Sequence, residues 1–372
     1  MLVLLLELAR GIAALWVFLA HAKDLFVNSS PFIYHIALYG ALGVPMFFVI
    51  SGYVITFSAE SSLKNNKPPV FFLKNRALRI YPTFWASVVI VLLTPYLIEA
   101  ISALKTGEYS EPDRVVSKLN TGEWLNLLVL TKVFWATSTD LQGQFNMINA
   151  VYWTLAVEFQ FYVVVFLALY FRRHYWKVIF LISMAGFIIM FIPTGMNYGL
   201  FIHYWPSFSI GIGLAYLHRH GIRYEAYFKN NSIYLILLMA VIIWVARLPF
   251  PEATKNYKFF LFSIGFGLLL WSIADFETVL TKVKLSGNKL LYWLLEPWLI
   301  LGAMSYSVYL LHGKIYLLPF MLVRQVLNSN NFLYGFLTVL GTLMMCFPFY
   351  YYIERRFLSK NYKKLHQKVL TK

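Results

Sequence analysis

The chain has 372 residues, of which 60% are apolar and 13% are charged, and its mean hydropathy is +0.64. A water-soluble globule carries about a quarter charged residues, so this composition excludes that class and predicts an integral membrane protein. The net charge is +16, but the basic residues lie between apolar segments and at the C-terminus, without interleaved stacking aromatics. This distribution argues against nucleic-acid binding.

Apolar stretches of about 17 to 25 residues are long enough to cross a bilayer as helices, and the sequence contains ten of them. We therefore expect an all-α bundle of about ten transmembrane helices that forms a single membrane-embedded domain over residues 1–372. The predicted spans cover about 6–24, 38–58, 80–101, 150–171, 177–193, 199–217, 232–247, 258–275, 297–320 and 332–352.

The distribution of basic residues predicts the orientation of this bundle. With ten spans, 21 of the 32 Lys and Arg residues lie on the side of the two termini and 9 on the other side. The positive-inside rule then places both termini in the cytoplasm. The long polar connection 102–149 would face outward, either as an ordered lid over an external site or as a plain solvated loop.

The first predicted helix carries an ionisable stripe that begins at Glu7 and ends at Asp24. Eleven residues separate Arg10 from His21, so the two side chains lie within about 20° of one helix face and roughly 16 Å apart along the axis. Because a charged residue at the centre of a membrane helix costs about 2.5 to 3.5 kcal/mol, such a stripe should face a partner or a hydrated cavity.

An imidazole titrates near neutral pH, so His21 suits the role of a general base that takes the proton of a hydroxyl group. Asp24, or a carboxylate from another helix, could hold its tautomer. Taken alone, His21 could equally be a hydrogen-bonded interior histidine.

The fourth predicted span places a carboxylate, Glu158, two turns inside an apolar helix. It could tie two helices together, orient His21, or bind the hydroxyls of an acceptor. Arg76 and Arg79, three residues apart at the start of the third span, share a helix face. They could anchor the topology, or their two guanidinium groups could bind a phosphate of coenzyme A.

A late segment, residues 302–312, contains small and hydroxyl side chains and ends in a second intramembrane histidine, His312. Such residues commonly line helix contacts, so we expect a packing role for them. Cys346 is the only cysteine. It allows no intramolecular disulfide and no thiolate cluster, and we predict no metal site.

Together these motifs resemble acyltransferase family 3, the ten-helix membrane O-acyltransferases. The resemblance covers residues 7–312 in the expected order. It rests on Arg10-x10-His21, Phe47-Phe-Val-Ile-Ser51-Gly52-Tyr53, Arg76-x-x-Arg79-Ile-Tyr-Pro82, Trp153-Thr-Leu-x-Val-Glu158 and Ser305-Tyr306-Ser-x-Tyr309-Leu-x-His312.

The resemblance implies an O-acetyltransferase of the bacterial inner membrane. It would use cytoplasmic acyl-CoA, commonly acetyl-CoA, and a hydroxyl of a cell-surface polysaccharide or lipid-linked glycan. His21 would be the catalytic histidine, Arg10 a donor-side residue, Arg76 and Arg79 the pair used with acyl-CoA, and Glu158 the motif carboxylate.

We expect no fused extracytoplasmic hydrolase-like domain, so transfer would be completed by this domain or by a separate glycan-assembly protein. A polytopic transporter or flippase of glycan or lipid intermediates is the alternative. A catalytically inactive membrane scaffold is a third possibility.

Overall fold

The computed structural model describes residues 2–112, 118–135, 145–192, 199–224, 231–249, 255–285, 289–328 and 331–358. Regular structure within these ranges is entirely helical, which confirms the predicted all-α class. Parts of the predicted outward connection, 113–117 and 136–144, lie outside the described residues, and so does the basic tail 359–372.

Fifteen α-helices are defined in the described part of the chain. They are α1 Val3–His21, α2 Pro31–Leu38, α3 Gly43–Lys64, α4 Pro69–Thr106, α5 Thr121–Leu128, α6 Tyr152–Ala168, α7 Tyr175–Met190, α8 Trp205–Arg219, α9 Asn231–Arg247, α10 Lys255–Ser272, α11 Phe276–Leu285, α12 Lys289–Ala303, α13 Ser305–Ile315, α14 Leu317–Val323 and α15 Phe332–Tyr352.

Several of these helices are long and apolar enough to cross a membrane, so the protein is a multi-pass membrane protein. Five qualify by themselves, and the number rises to seven when two bent pairs each count as one span. The bends are 60° between α10 and α11 and 72° between α12 and α13. Each of the ten predicted segments contains a helix, but ten crossings and cytoplasmic termini stay a prediction.

Helix α1 lies inside the bundle, where it packs against α3, α12 and α13. Its closest neighbour is α12, because Gly302 has no side chain: a Cβ there would lie 2.1 Å from the carbonyl oxygen of Glu7. The carboxylate of Glu277 accepts hydrogen bonds from the backbone N–H groups of residues 3, 4 and 5 at 2.8 to 3.1 Å. These bonds satisfy donors that a helix start leaves open.

Helix α4 begins at Pro69, eleven residues before the start of the predicted third span. Proline is well tolerated in a first helical turn, because its missing N–H would have no intrahelical partner there. With 38 residues, α4 is about 57 Å long, well beyond the roughly 30 Å of a hydrocarbon core. Arg76 and Arg79 therefore lie within a continuous helix, on which their spacing puts them on one face.

Candidate active site

The ionisable stripe of α1 is interrupted at its C-terminal end. Glu7 is buried and Arg10 and His21 are half-buried on the helix, but α1 ends at His21. Asp24 lies exposed in the following 3-10 turn, Lys23–Phe26. Within the described residues it makes no hydrogen bond or ion pair with His21, so the structure does not bring these two predicted partners together.

Glu158 lies on α6 and is held by two hydroxyl groups. Ser51 of α3 donates a short hydrogen bond to its carboxylate, and Tyr162, one turn further along α6, donates another at 2.7 Å. A small pocket of about 50 Å³ opens beside it. Arg10, Thr154 and the start of α13 also line this pocket, so Glu158 and Arg10 share one site although they are 148 residues apart.

The 72° bend before α13 contributes to this pocket. The bend places Ser305, Tyr306 and Tyr309 of α13 on the pocket wall. Irregular backbone at membrane depth is tolerated where it is buried in protein or lines a cavity. The break in this span is therefore part of how the site is built.

Arg76 belongs to the same polar cluster. Its guanidinium carbon lies 5.8 Å from the centre of the Tyr162 ring and 5.7 Å from that of Phe72. It also interacts electrostatically with Arg10 and Glu158. Among the described residues Arg76 forms no direct ion pair with a carboxylate, so its guanidinium N–H groups could bind an anion.

Arg79 has a different environment. Its guanidinium group forms an ion pair at 3.2 Å with Glu354, which is completely buried just after α15. Glu354 also accepts hydrogen bonds from the backbone N–H and the hydroxyl of Ser307, at 3.1 and 2.6 Å. Burial raises the pKa of the Glu354 carboxyl, while Arg79 and Ser307 act in the opposite direction. Arg79 thus joins α4 to the end of α15 and to α13.

Our sequence interpretation missed Glu354. The available signal was weak: an acidic residue directly after the last apolar stretch, followed by Arg355 and Arg356. Nothing in that local pattern indicates a partner 275 residues away.

His21 lies at the other end of the α1 face, next to the second intramembrane histidine. The ring centres of His21 and His312 are 5.2 Å apart, and Phe18 lies 5.5 Å from His312. His312 is completely buried, and its expected role in helix packing stays a prediction. Its position beside the predicted catalytic histidine was not foreseen, since α1 and α13 are far apart in sequence.

Tyr309 lies between the two groups of residues. It lines the Glu158 pocket, and its hydroxyl is 2.6 Å from that of Thr154. Its ring centre is 5.9 Å from that of His312 and 5.4 Å from that of Phe47. Tyr309 therefore connects an arginine end of the site, formed by Arg10, Arg76 and Glu158, with a histidine end formed by His21 and His312.

A larger groove of about 680 Å³ lies on the opposite face of α1. Ile12, which lines it, is two residues or about 200° from Arg10 on the helix. The lining is mostly apolar, and its two basic residues, His35 and Arg247, are both exposed. This groove is therefore separate from the ionisable residues of α1. Within the described ranges, no three His, Cys, Asp or Glu side chains cluster closely enough to hold a metal ion.

Comparison with known proteins identifies one family and one relative. The sequence model of a family described as "Acyltransferase domain" matches residues 4–351. A protein named "O-acetyl transferase" from Shigella phage Sf6 is 29% identical over 162 residues, which cover 42% of this chain. The same alignment covers 43% of that relative's own length. No solved structure matches the chain significantly.

Proposed function

We propose a reaction for this chain, which belongs to acyltransferase family 3 and is thus an enzyme that transfers acyl groups other than aminoacyl groups. In the proposed reaction the protein moves an acetyl group from cytoplasmic acetyl-CoA to a hydroxyl of a cell-surface polysaccharide or lipid-linked glycan. The observation that carries this proposal is the convergence of Arg10, Arg76 and Glu158 from three helices at one end of a region that has His21 at the other end.

The arginine end suits the anionic part of the donor. Coenzyme A has a 3′-phosphate and a pyrophosphate, and guanidinium groups bind such oxygens through charge-assisted hydrogen bonds. Arg76 has no carboxylate partner within the described residues, and the Nε of Arg10 is buried there without a hydrogen-bond partner. These two arginines can therefore contact phosphate, whereas Arg79 braces the α4 end of the site through Glu354.

The histidine end suits the acceptor. His21 takes the proton of the acceptor hydroxyl as its oxygen attacks the thioester carbon, so that an O–C bond forms and the C–S bond breaks. The proton then passes from His21 to the departing thiolate. A thioester is already activated, so the protein needs a base for the hydroxyl proton and donors for the developing oxyanion.

The two ends are separated by about 16 Å of α1, between Arg10 and His21. We propose that the pantetheine arm of the donor covers this distance past Tyr309 and Thr154, which lie between them. Their hydroxyl groups would provide hydrogen-bonding partners along this route. Glu158 would then contribute by balancing the charge of Arg10 and Arg76, and Asp24 would remain outside the passage.

The proposed reaction is tested by supplying membranes that contain the protein with acetyl-CoA labelled in the acetyl group. We expect labelled acetyl esters on glycan from the same cells, seen by mass spectrometry as added acetyl groups that mild base removes. A His21 variant should no longer cleave the thioester of acetyl-CoA. This loss would distinguish an enzyme from a transporter. Unlabelled glycan together with intact acetyl-CoA would contradict the proposal.

The proposed arrangement in a bacterial inner membrane has ten spans, cytoplasmic termini and one domain over residues 1–372. It is tested by labelling single cysteines introduced into a Cys346→Ser background. We expect a cysteine at Lys74 and one at Lys372 to react from the cytoplasmic side only. Reaction of these two positions from opposite sides would exclude an even number of spans.

A further inference from the structure

The buried histidine of α13 has one ring nitrogen with a clear partner and one without. The Nδ1 of His312 lies 2.9 Å from the carbonyl oxygen of Val308, one turn earlier on the helix. Its Nε2 is buried and has no hydrogen-bond partner among the described residues. Since buried polar atoms are nearly always hydrogen-bonded, this nitrogen calls for an explanation.

The contact with Val308 determines the form of the ring. A carbonyl oxygen can only accept, so Nδ1 carries the proton, and Nε2 of the neutral ring presents a lone pair. His312 is therefore a hydrogen-bond acceptor that points into the protein interior. Its missing partner must be a donor.

Among the described side chains in ring contact with His312, which are Phe18, His21 and Tyr309, His21 is the one that can donate. Tyr309, also near the ring, already shares its hydroxyl with Thr154, and Phe18 has no polar atom. The ring centres of the two histidines are 5.2 Å apart, so two ring nitrogens pointing directly at each other would be roughly 3 Å apart, the length of an N–H···N hydrogen bond; this bond is not formed in the structure. The rings are tilted by 51°, and such bonds often close only when substrate binds.

We propose that His312 is a positioning residue for the reaction proposed above: its Nε2 accepts the N–H of His21 and thereby fixes the His21 tautomer. The other nitrogen of His21 then faces the acceptor hydroxyl with its lone pair. After proton transfer, the same contact holds one N–H of the His21 imidazolium. A neutral imidazole thus takes the place that a carboxylate holds in many catalytic triads.

The test compares three substitutions that separate hydrogen bonding from packing. His312→Phe keeps a flat ring and removes the acceptor, whereas His312→Gln keeps an acceptor oxygen near the position of Nε2. Phe18→Leu changes the packing on the same ring without touching the hydrogen bond. Each variant is assayed at matched membrane levels, with kcat and both KM values measured separately.

We expect His312→Phe to lower kcat by about 10- to 100-fold, less than the roughly 10⁴-fold reported for losing an anionic tautomer-holding carboxylate. Both KM values should stay within about twofold, because His312 contacts neither substrate. His312→Gln should recover part of the loss, and Phe18→Leu should keep a near wild-type kcat. Residues that act as a unit are non-additive, so His21→Ala/His312→Phe should be no slower than His21→Ala.

The outcomes distinguish this inference from the function on which it rests. If His21→Ala abolishes transfer but His312→Phe has wild-type kcat, the positioning role is wrong and the proposed function stands. If His312→Gln and Phe18→Leu lose as much kcat as His312→Phe, the role of His312 is packing only. If His21→Ala is itself fully active, the assignment of the base fails first.

Discussion

The two ends of the α1 face satisfy their ionisable groups in different ways. At the arginine end, hydroxyl groups hold Glu158, and Arg79 forms an ion pair with Glu354. Arg76 forms no ion pair with a carboxylate in the part of the chain that the structure describes. At the other end, two imidazoles face each other, and the nearest carboxylate in sequence, Asp24, is exposed. The first arrangement suits an anionic ligand, and the second suits the movement of a proton.

The largest expected effect is at the histidine end, where His21 is the proposed general base. A general base typically contributes about 10²- to 10⁴-fold, and we expect a loss of kcat in this range for His21→Ala. The measurement is the initial rate of acetyl transfer at saturating acetyl-CoA, with the amount of inserted protein matched. His35→Ala, an exposed histidine on α2, is the control and should keep its activity. Transfer at the wild-type rate by His21→Ala would remove the proton-transfer role from this end.

The next largest effect concerns the stability of the arginine end. Arg79→Ala leaves the buried carboxylate of Glu354 without its partner, and breaking a buried ion pair from one side costs about 3 to 5 kcal/mol. We expect a lower thermal midpoint of the purified protein and less protein in the membrane. Because Arg79→Met/Glu354→Gln leaves no unpaired charge, it should recover much of the loss.

Arg76 is the matched comparison for that experiment. We expect Arg76→Ala to be less destabilised than Arg79→Ala. If Arg76→Ala lowered the thermal midpoint as much as Arg79→Ala, or if Arg79→Met/Glu354→Gln were no more stable than Arg79→Ala, the two arginines would be equivalent. In that case both would serve as anchors of the topology, and the donor site would have to lie elsewhere.

The expected effect of Arg76 is on donor affinity. A charge-assisted hydrogen bond to phosphate is worth about 1.5 to 3 kcal/mol, and at 1.4 kcal/mol per tenfold Arg76→Ala should raise the KM for acetyl-CoA about 10- to 100-fold. Lysine should rescue only in part, since it keeps the charge and loses the bidentate geometry. Titrating acetyl-CoA at fixed acceptor, and then the converse, measures this. An increase in acceptor KM alone would reassign Arg76.

The smallest expected effect concerns Asp24. Surface substitutions are usually within about 0.5 kcal/mol of wild type, so Asp24→Asn should change kcat by roughly twofold at most. Measured beside His312→Phe under the same conditions, it decides which residue holds the tautomer of His21. A larger loss for Asp24→Asn than for His312→Phe would transfer that role to the carboxylate.

Local patterns in the sequence identified much of this molecule. The low fraction of charged residues and the long apolar stretches predicted a helical membrane protein, and each predicted span contains a helix. The eleven-residue spacing placed Arg10 and His21 on one face of α1 because helical periodicity is a local property. The same reasoning put Arg76 and Arg79 on one face of α4, although the start of that helix was placed eleven residues too late.

Only the tertiary structure decided which faces meet. It separated Arg76 from Arg79 through Glu354, grouped Glu158 with the arginines, and brought His312 to His21. Helical spacing carries no information about which helices are neighbours. Close packing determines which helices are neighbours. Gly302, for example, lets α12 approach the backbone of α1 at Glu7, and this contact fixes where the bend at the start of α13 lies relative to the site.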